Sequence, residues 1–268
     1  MEEVKTTKQL LKEIKSLKDK KGFLMAGLPR FGRLFGRDSL ISAWQLLDFD
    51  PEICKATLKA LAQFQGKKTS KKTEEEPGKI LHEVKDRAAF PFDYYGSVDS
   101  TPLFLILFSF FFQKTKDKNF IKKYWPNIKR AIEWMENYGD KDEDGFLEYQ
   151  RESKGGLLHQ GWKDGFEDHL DIKPPVALVE PQGYRYLALK ETAKLAEISG
   201  EEKYSQELLE RAQILKKNFN QKFWMKNKKY FALALDGDKK QKKAITSNPG
   251  HLFFTGIVEK DKEKATVK

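Results

Sequence analysis

The sequence has little from which to build disulfides or metal centres. Its 268 residues include one cysteine, Cys54, and four histidines scattered along the chain. One cysteine excludes an intrachain disulfide and is typical of a reducing compartment, so we expect a cytoplasmic protein. HEVKD (82–86) lacks the second histidine of a zinc-protease helix. The sequence therefore predicts no metal ion and no cofactor.

Long apolar segments and clustered basic motifs are also missing. The run LFLILFSFFF (103–112) is too short to span a bilayer, and the N-terminus has no apolar signal-peptide core. The net charge is +10, but lysines are followed by acids, as in KKTSKKTEEEPGK (67–79), and no RNA-binding aromatic motif accompanies them. We therefore expect no membrane association, and we interpret the positive charge as solvated surface rather than as a nucleic-acid interface.

Two loops imitate ligand-binding motifs without completing them. GLPRFGRL (27–34) has the glycine spacing of a phosphate loop, but Arg33 and Leu34 stand where lysine and serine or threonine are needed. DKDEDGFLEYQR (140–151) begins like a calcium loop, yet Arg151 replaces the bidentate glutamate of its last position. We therefore expect no nucleotide site at the first loop, and we interpret the second loop as an acidic turn.

Aromatic residues are abundant, at 13% of the chain with 20 Phe, which indicates a substantial core. Segments that are apolar all round alternate with amphipathic segments, and a long loop precedes each apolar one. Inner helices surrounded by outer helices, with the loops at one end, satisfy this alternation. The sequence thus predicts an all-α fold, an α/α toroid. The predicted inner helices are 97–113 and 175–198, and the predicted outer helices are 51–65, 119–138 and 201–221.

Shorter signals complete the predicted organisation. Residues 1–20 form an amphipathic N-terminal segment, and Asp38 is placed to cap the helix that follows it. YFALALDGDKKQKKAITS (230–247) predicts a β-hairpin with its turn near Gly237. SNPGHLFFTGI (247–257) then predicts the start of another apolar helix.

Polar and aromatic residues recur where the long loops meet the predicted inner helices. HQGWKDGFEDHL (159–170) sets an indole and a carboxyl between two glycines. A glycosidase needs one protonated acid at the glycosidic oxygen and one ionised carboxylate, together with groups that hold the sugar. Each residue also has a structural explanation, such as a local ion pair, a helix cap or a solvated side chain. The candidate site residues are Arg37, Asp38, Tyr95, Asp99, Trp162, Lys163, Asp164, Glu180, Gln182, Tyr184 and His251.

Five motifs resemble the bacterial glycogen-debranching, amylo-α-1,6-glucosidase-like family and follow its order over about residues 21–258. The resemblance implies an (α/α)6 toroid. It also implies an inverting glycoside hydrolase that acts on α-linked glucose in oligosaccharide branches or related glucosides. The motifs are FGRDSLISAW (35–44), YYGSVDSTPLFL (94–105), QGWKDG (160–165), ALVEPQGY (177–184) and ALALDGD with ITSNPGHLFFTGI (232–257).

Roles follow from the resemblance position by position. Asp164 matches the family's general acid, and burial beside Trp162 is expected to raise its pKa. Lys163 is expected to point to a sugar hydroxyl. The sugar-binding matches are Arg37, Asp38, Asp99, Trp162 and Lys163, and the site-lining matches are Glu180, Gln182 and His251.

The chain departs from the family at three positions and in its length. Gly165 replaces a serine, Arg30 replaces an aromatic residue, and Pro181 can kink the helix that carries Glu180. Three helix pairs and part of a fourth are present where six close the toroid, and the family's catalytic glutamate lies beyond Lys268. We therefore expect a partial catalytic domain over residues 21–268 that is inactive alone.

Two alternatives stay open at this stage. The first is a non-catalytic carbohydrate-binding or helical scaffold protein, which would bind oligosaccharide without turnover. The second is a nucleic-acid-binding helical protein, whose affinity would fall steeply with salt.

Overall fold

A computed structural model describes residues 6–86 and 90–267, and its architecture is predominantly helical. Residues 1–5 of the predicted N-terminal segment lie outside the described part, and a helix capped by Thr6 occupies Thr7–Leu17 of the remainder. The α-helices are α1 (Thr7–Leu17), α2 (Gly36–Gln45), α3 (Pro51–Gln63), α4 (Ser100–Thr115), α5 (Lys118–Asn137), α6 (Val179–Ile198), α7 (Glu202–Lys222) and α8 (Lys260–Thr266).

Helices α2, α4 and α6 form the inner layer, and α3, α5 and α7 form the outer layer. Helix α4 packs against α2, α3, α5 and α6, and it is buried continuously from Ser100 to Ser109. Helix α6 is buried continuously from Val179 to Leu189, whereas α5 buries a single face. Full burial of the all-round apolar helices confirms the predicted toroid arrangement, with three inner–outer pairs in the described chain.

The described residues also contain five two-residue strands. The predicted hairpin is present as β4 (Ala234–Leu235) and β5 (Gln241–Lys242), and β4 also pairs with β1 (Ala177–Leu178). Because β1 occupies residues predicted as helical, α6 begins at Val179 rather than near residue 175. A second hairpin joins β2 (Trp224–Met225) to β3 (Tyr230–Phe231).

Three local predictions were wrong. Asp38 does not cap α2, because the helix already begins at Gly36. A Cβ atom on Gly36 would lie 2.2 Å from the Leu81 carbonyl oxygen. The predicted helix over 247–257 is only a 3₁₀ helix, Asn248–Leu252, and turns lead from it to Gly256, whose φ of +76° is incompatible with a right-handed helix. Helix α6 is continuous through Pro181, because a proline in the first turn removes no helical hydrogen bond.

Among the described helices, none is both long enough and apolar enough to cross a membrane.

Candidate active site

The Arg37 guanidinium joins three segments that are far apart in the sequence. It donates to Asp99 at 2.9 Å, to the Gly161 carbonyl oxygen at 2.7 Å and to Asp164 at 2.5 Å. Arg37 lies in the first turn of α2, and Asp99 immediately precedes α4. Burial lowers the pKa of Arg37, but the Asp99 and Asp164 carboxylates raise it by more. The beginnings of inner helices and the 161–164 loop therefore meet at one permanently charged group.

The two carboxylates bound by Arg37 have different access to solvent. Asp99 is completely buried, and its second oxygen accepts a hydrogen bond from Ser97 at 2.7 Å. Asp99 stands at the N-cap position of α4 without capping it, because its side chain is used by Arg37 and Ser97. The Asp164 side chain is 32% exposed, so the expectation that it is buried beside Trp162 was wrong. Of this pair, Asp164 is the carboxylate that an external molecule can reach.

A cavity of about 490 Å³ opens beside Asp164. Arg37 and Asp38 lie in its wall, and burial raises the pKa of Asp38 although Arg37 opposes this shift. Two phenylalanines, Phe31 and Phe166, add exposed aromatic surface. Charged groups and aromatic rings in one wall are the combination that holds the hydroxyls and faces of a sugar.

Glu180 supports the 161–164 loop from the first turn of α6. Its side chain is completely buried, and one carboxylate oxygen accepts the Trp162 backbone N–H at 3.1 Å. Burial raises the pKa of Glu180. The loop approaches so closely that a Cβ atom on Gly161 would lie 2.3 Å from a Leu178 methyl carbon. A larger residue at position 161 would therefore displace the Leu178 side chain.

The Trp162 ring centroid lies 5.8 Å from the Arg37 guanidinium carbon, and 40% of the Trp162 surface is exposed. Its ring centroid is 4.4 Å from that of His251, and the His251 Nδ1 lies 2.7 Å from the Tyr184 hydroxyl oxygen. Burial lowers the pKa of His251. These contacts fix the indole while leaving part of it available for stacking on a sugar ring.

Three other candidates do not join the cluster. The Tyr95 hydroxyl donates to the Phe64 carbonyl oxygen at 2.7 Å, which ties the 94–97 segment to the end of α3. The Gln182 side chain bonds both the N–H and the carbonyl oxygen of Leu147, each at 2.8 Å. Lys163 is exposed to solvent. Tyr95 and Gln182 thus hold neighbouring loops in place.

His82 is a site residue that the sequence analysis did not select. Its Nε2 lies 4.0 Å from an Asp164 carboxylate oxygen, and its carbonyl oxygen accepts the Gly36 N–H at 2.7 Å. Burial lowers the pKa of His82 to about 3, so the imidazole is neutral at physiological pH. HEVKD (82–86) resembles only an incomplete metal motif, and a lone histidine carries no other sequence pattern that identifies it as a site residue.

Solved structures with this fold include several glycosidases. The chain resembles the GH63 mannosylglycerate hydrolase of Thermus thermophilus with a TM-score of 0.73 and 13% identity, over 96% of this chain and 75% of that one. The GH78 rhamnosidase of Bacillus sp. GL1 matches with a TM-score of 0.67 and 15% identity, over 90% of this chain. This chain covers only 23% of that rhamnosidase's length.

A third structure, the rhamnosidase from Klebsiella oxytoca with rhamnose bound, matches with a TM-score of 0.60 and 14% identity, over 97% of this chain and 46% of that one. At these identities the structural matches establish the (α/α)6 fold alone. No curated protein sequence matches the chain significantly. The profile of one family does match, over residues 94–268. The chain therefore belongs to the bacterial alpha-L-rhamnosidase six-hairpin glycosidase domain family.

Proposed function

We propose that this chain carries the acid-bearing part of a glycoside hydrolase site, in which Asp164 protonates the glycosidic oxygen of the leaving group. The supporting observation is the unequal exposure of the two carboxylates on Arg37. Asp99 is buried with both oxygens bonded, whereas Asp164 faces a cavity of about 490 Å³. A general acid must touch the substrate, and of the two only Asp164 meets that requirement.

The surrounding residues have complementary roles in this proposal. Arg37 orients the Asp164 carboxyl, and its additional bonds to Asp99 and Gly161 keep it fixed when Asp164 turns to the substrate. Asp38 accepts hydrogen bonds from sugar hydroxyls. Trp162 offers its indole face to an apolar sugar face, as aromatic rings do in carbohydrate sites.

We further propose an inverting reaction on an α-linked sugar, with an α-glucosidic oligosaccharide as the first substrate to examine. The five motifs that resemble the glycogen-debranching family support glucose. The family name supports a rhamnoside as the substrate, and the fold match to a mannosylglycerate hydrolase supports a short mannoside as another candidate. Because this chain is expected to be inactive alone, the test uses a longer protein that joins it to a segment supplying the catalytic base. Hydrolysis by that longer protein of a panel of α-glucosides, α-rhamnosides and α-mannosides, followed by NMR of the released anomer, decides between these sugars and tests inversion.

The test of the acid role compares Asp164→Asn with Glu167→Gln, an exposed residue three positions further on. With the sugar identified by the panel, Asp164→Asn in the longer protein should lose about 10²–10⁴-fold in turnover while calorimetric affinity for the sugar stays nearly unchanged. Glu167→Gln should keep both. Sugar binding without turnover in the unaltered longer protein would instead support the non-catalytic carbohydrate-binding alternative.

A further inference from the structure

A second group of carboxylates lies in the loop between α5 and β1. One oxygen of each of Asp140, Asp142 and Glu148 lies within 4.8 Å of the others. Asp144 belongs to the same group, because its carboxylate shares a cation with Asp142 and Glu148. We refer to Asp140, Asp142, Asp144 and Glu148 as the acidic loop cluster. Such a concentration of negative charge on one short loop needs a cation to be stable.

Lys239 supplies a cation from a different part of the chain. Its Nζ lies 2.7 Å from an Asp142 oxygen and 2.9 Å from an Asp144 oxygen, and it also bonds Glu148. Burial lowers the pKa of Lys239, but the hydrogen bonds to these carboxylates raise it by more. Lys239 lies in the turn between β4 and β5. The ammonium therefore stands among three carboxylates in the manner of a bound metal ion.

The acidic loop cluster has the spacing of a calcium loop. Asp140, Asp142 and Asp144 take its first, third and fifth positions, and Gly145 follows with φ +89°, as the sharp turn requires. At the twelfth position of the motif, however, Arg151 replaces the bidentate glutamate of a calcium loop. In the structure Arg151 is exposed, and the buried carboxylate comes from Glu148 at the ninth position.

Asp140 provides independent evidence for a cation ligand. Its side chain is only 9% exposed, and its Oδ1 is buried without a hydrogen-bond partner among the described residues. Its other oxygen accepts the Gly145 N–H at 2.8 Å and lies 3.6 Å from Arg185. A buried carboxylate oxygen without a donor is unfavourable unless a cation can approach it.

The charges around the loop are not balanced by protein groups. Four carboxylates face two cations, Lys239 and Arg185, which leaves two formal negative charges. Lys141, the lysine within the loop, is directed instead to Glu76, 3.8 Å away. A calcium ion brings two charges and accepts six to eight oxygen ligands, whereas an ammonium brings one charge and three donors.

We propose that the acidic loop cluster is a calcium-type site in which the Lys239 ammonium occupies the position of the cation, and that removal of this ammonium lets the loop bind Ca²⁺. In the unaltered chain, Lys239 joins the loop after α5 to the β4–β5 turn. Leu147, within the same loop, is bound by Gln182 of α6, so the connection reaches the helix that carries Glu180.

The test uses Lys239→Met, with Lys240→Met as the matched control, because Lys240 is the next residue of the same turn and its side chain is 78% exposed. In EDTA, Lys239→Met should lower Tm by about 5 °C. Calcium at about 1 mM should restore at least half of this loss, and the same concentration of Mg²⁺ should restore much less. The unaltered chain and Lys240→Met should show no calcium-dependent shift.

Isothermal titration with Ca²⁺ supplies a direct readout. Lys239→Met should bind one Ca²⁺, and adding Glu148→Gln to it should abolish that binding. If Lys239→Met does not fold in EDTA, expression and purification in calcium should yield folded protein. Saturable Ca²⁺ binding by the unaltered chain at the same concentration would contradict the proposal, as would a Lys239→Met variant that neither binds nor is stabilised by calcium.

Discussion

The Arg37 site and the acidic loop cluster use similar groups in different ways. Each places one cation from a distant segment among several carboxylates. Arg37 directs its planar fork to three acceptors, one of which borders a large cavity. Lys239, a compact charge, stands among carboxylates that converge on it. Grouped carboxylates alone therefore do not identify an active site. A candidate active site is identified by a carboxylate that a cation holds on one side and that faces a cavity on the other.

The largest expected effect comes from removing the cation of the Arg37 site. Arg37→Met leaves Asp99 buried without its charged partner, and breaking a buried pair in this way costs about 3–5 kcal/mol. Urea unfolding measures the loss. Arg30→Met, an exposed arginine beside the same cavity, should change the stability by less than about 0.5 kcal/mol. Equal effects of the two substitutions would show that the Arg37 network does not stabilise the fold.

The two carboxylates on Arg37 should separate stability from activity. Asp99→Asn removes a fully buried charged hydrogen bond, so we expect a loss of about 1.5–3 kcal/mol. Asp164→Asn changes a partly exposed pair and should cost about 1 kcal/mol or less. Unfolding curves of both variants of this chain, together with turnover of the same variants in the longer protein that supplies the catalytic base, test this division. A larger loss of stability for Asp164→Asn than for Asp99→Asn would reverse the assignment.

Gly36 places Arg37 against the neighbouring segments. A Cβ atom there would lie 2.2 Å from the Leu81 carbonyl oxygen and 2.4 Å from the Ser100 hydroxyl oxygen. Gly36→Ala should therefore displace the start of α2, with a cost of about 1–3 kcal/mol and lower affinity for sugar. At Gly155, where a Cβ atom meets nothing within 4 Å, the same substitution should leave stability and affinity unchanged. Unfolding and calorimetry on both variants decide the matter.

The smallest effect concerns Glu180 and depends on pH. Burial raises the pKa of Glu180 above its ordinary value of 4.5, so the folded chain binds this proton more tightly than the unfolded chain does. The folded state consequently loses stability as pH rises above about 4.5. Glu180→Gln removes this loss while its amide oxygen can still accept the Trp162 N–H. The variant should gain stability relative to the unaltered protein between about pH 4 and pH 7, and a gain independent of pH would contradict this origin.

The sequence predicts the helical layers well because burial leaves a periodic signal. Helix α4 is apolar on every face, and α5 is apolar on one, so their inner and outer positions follow. The two-residue strand β1 is too short to show an alternation of apolar and polar residues in the sequence. Helix α6 therefore begins later than predicted. The prediction of a longer apolar helix after Ser247 was wrong for a similar reason. The apolar residues of this segment do not reveal the positive φ of Gly256.

The candidate site was only partly predictable for a different reason. Periodicity does not bring Arg37 to Asp164, 127 residues away, and the motifs that resemble a known family were needed to select both. Those motifs do not distinguish a residue that faces the cavity from one that supports it. The Gln182 side chain bonds the backbone of Leu147, and the Tyr95 hydroxyl bonds the backbone of Phe64. Such bonds to backbone atoms leave no pattern in the sequence.

The central claim is that Asp164 delivers a proton to the leaving group, and leaving-group dependence tests it most directly. For Asp164→Asn in the longer protein that also supplies the catalytic base, kcat/KM should fall about 10²–10⁴-fold with an alkyl glycoside of the preferred sugar, whose leaving group needs that proton. With a dinitrophenyl glycoside the loss should be much smaller, because this leaving group departs as a stable anion. Equal losses with both substrates would contradict the general-acid assignment and leave Asp164 as a binding residue.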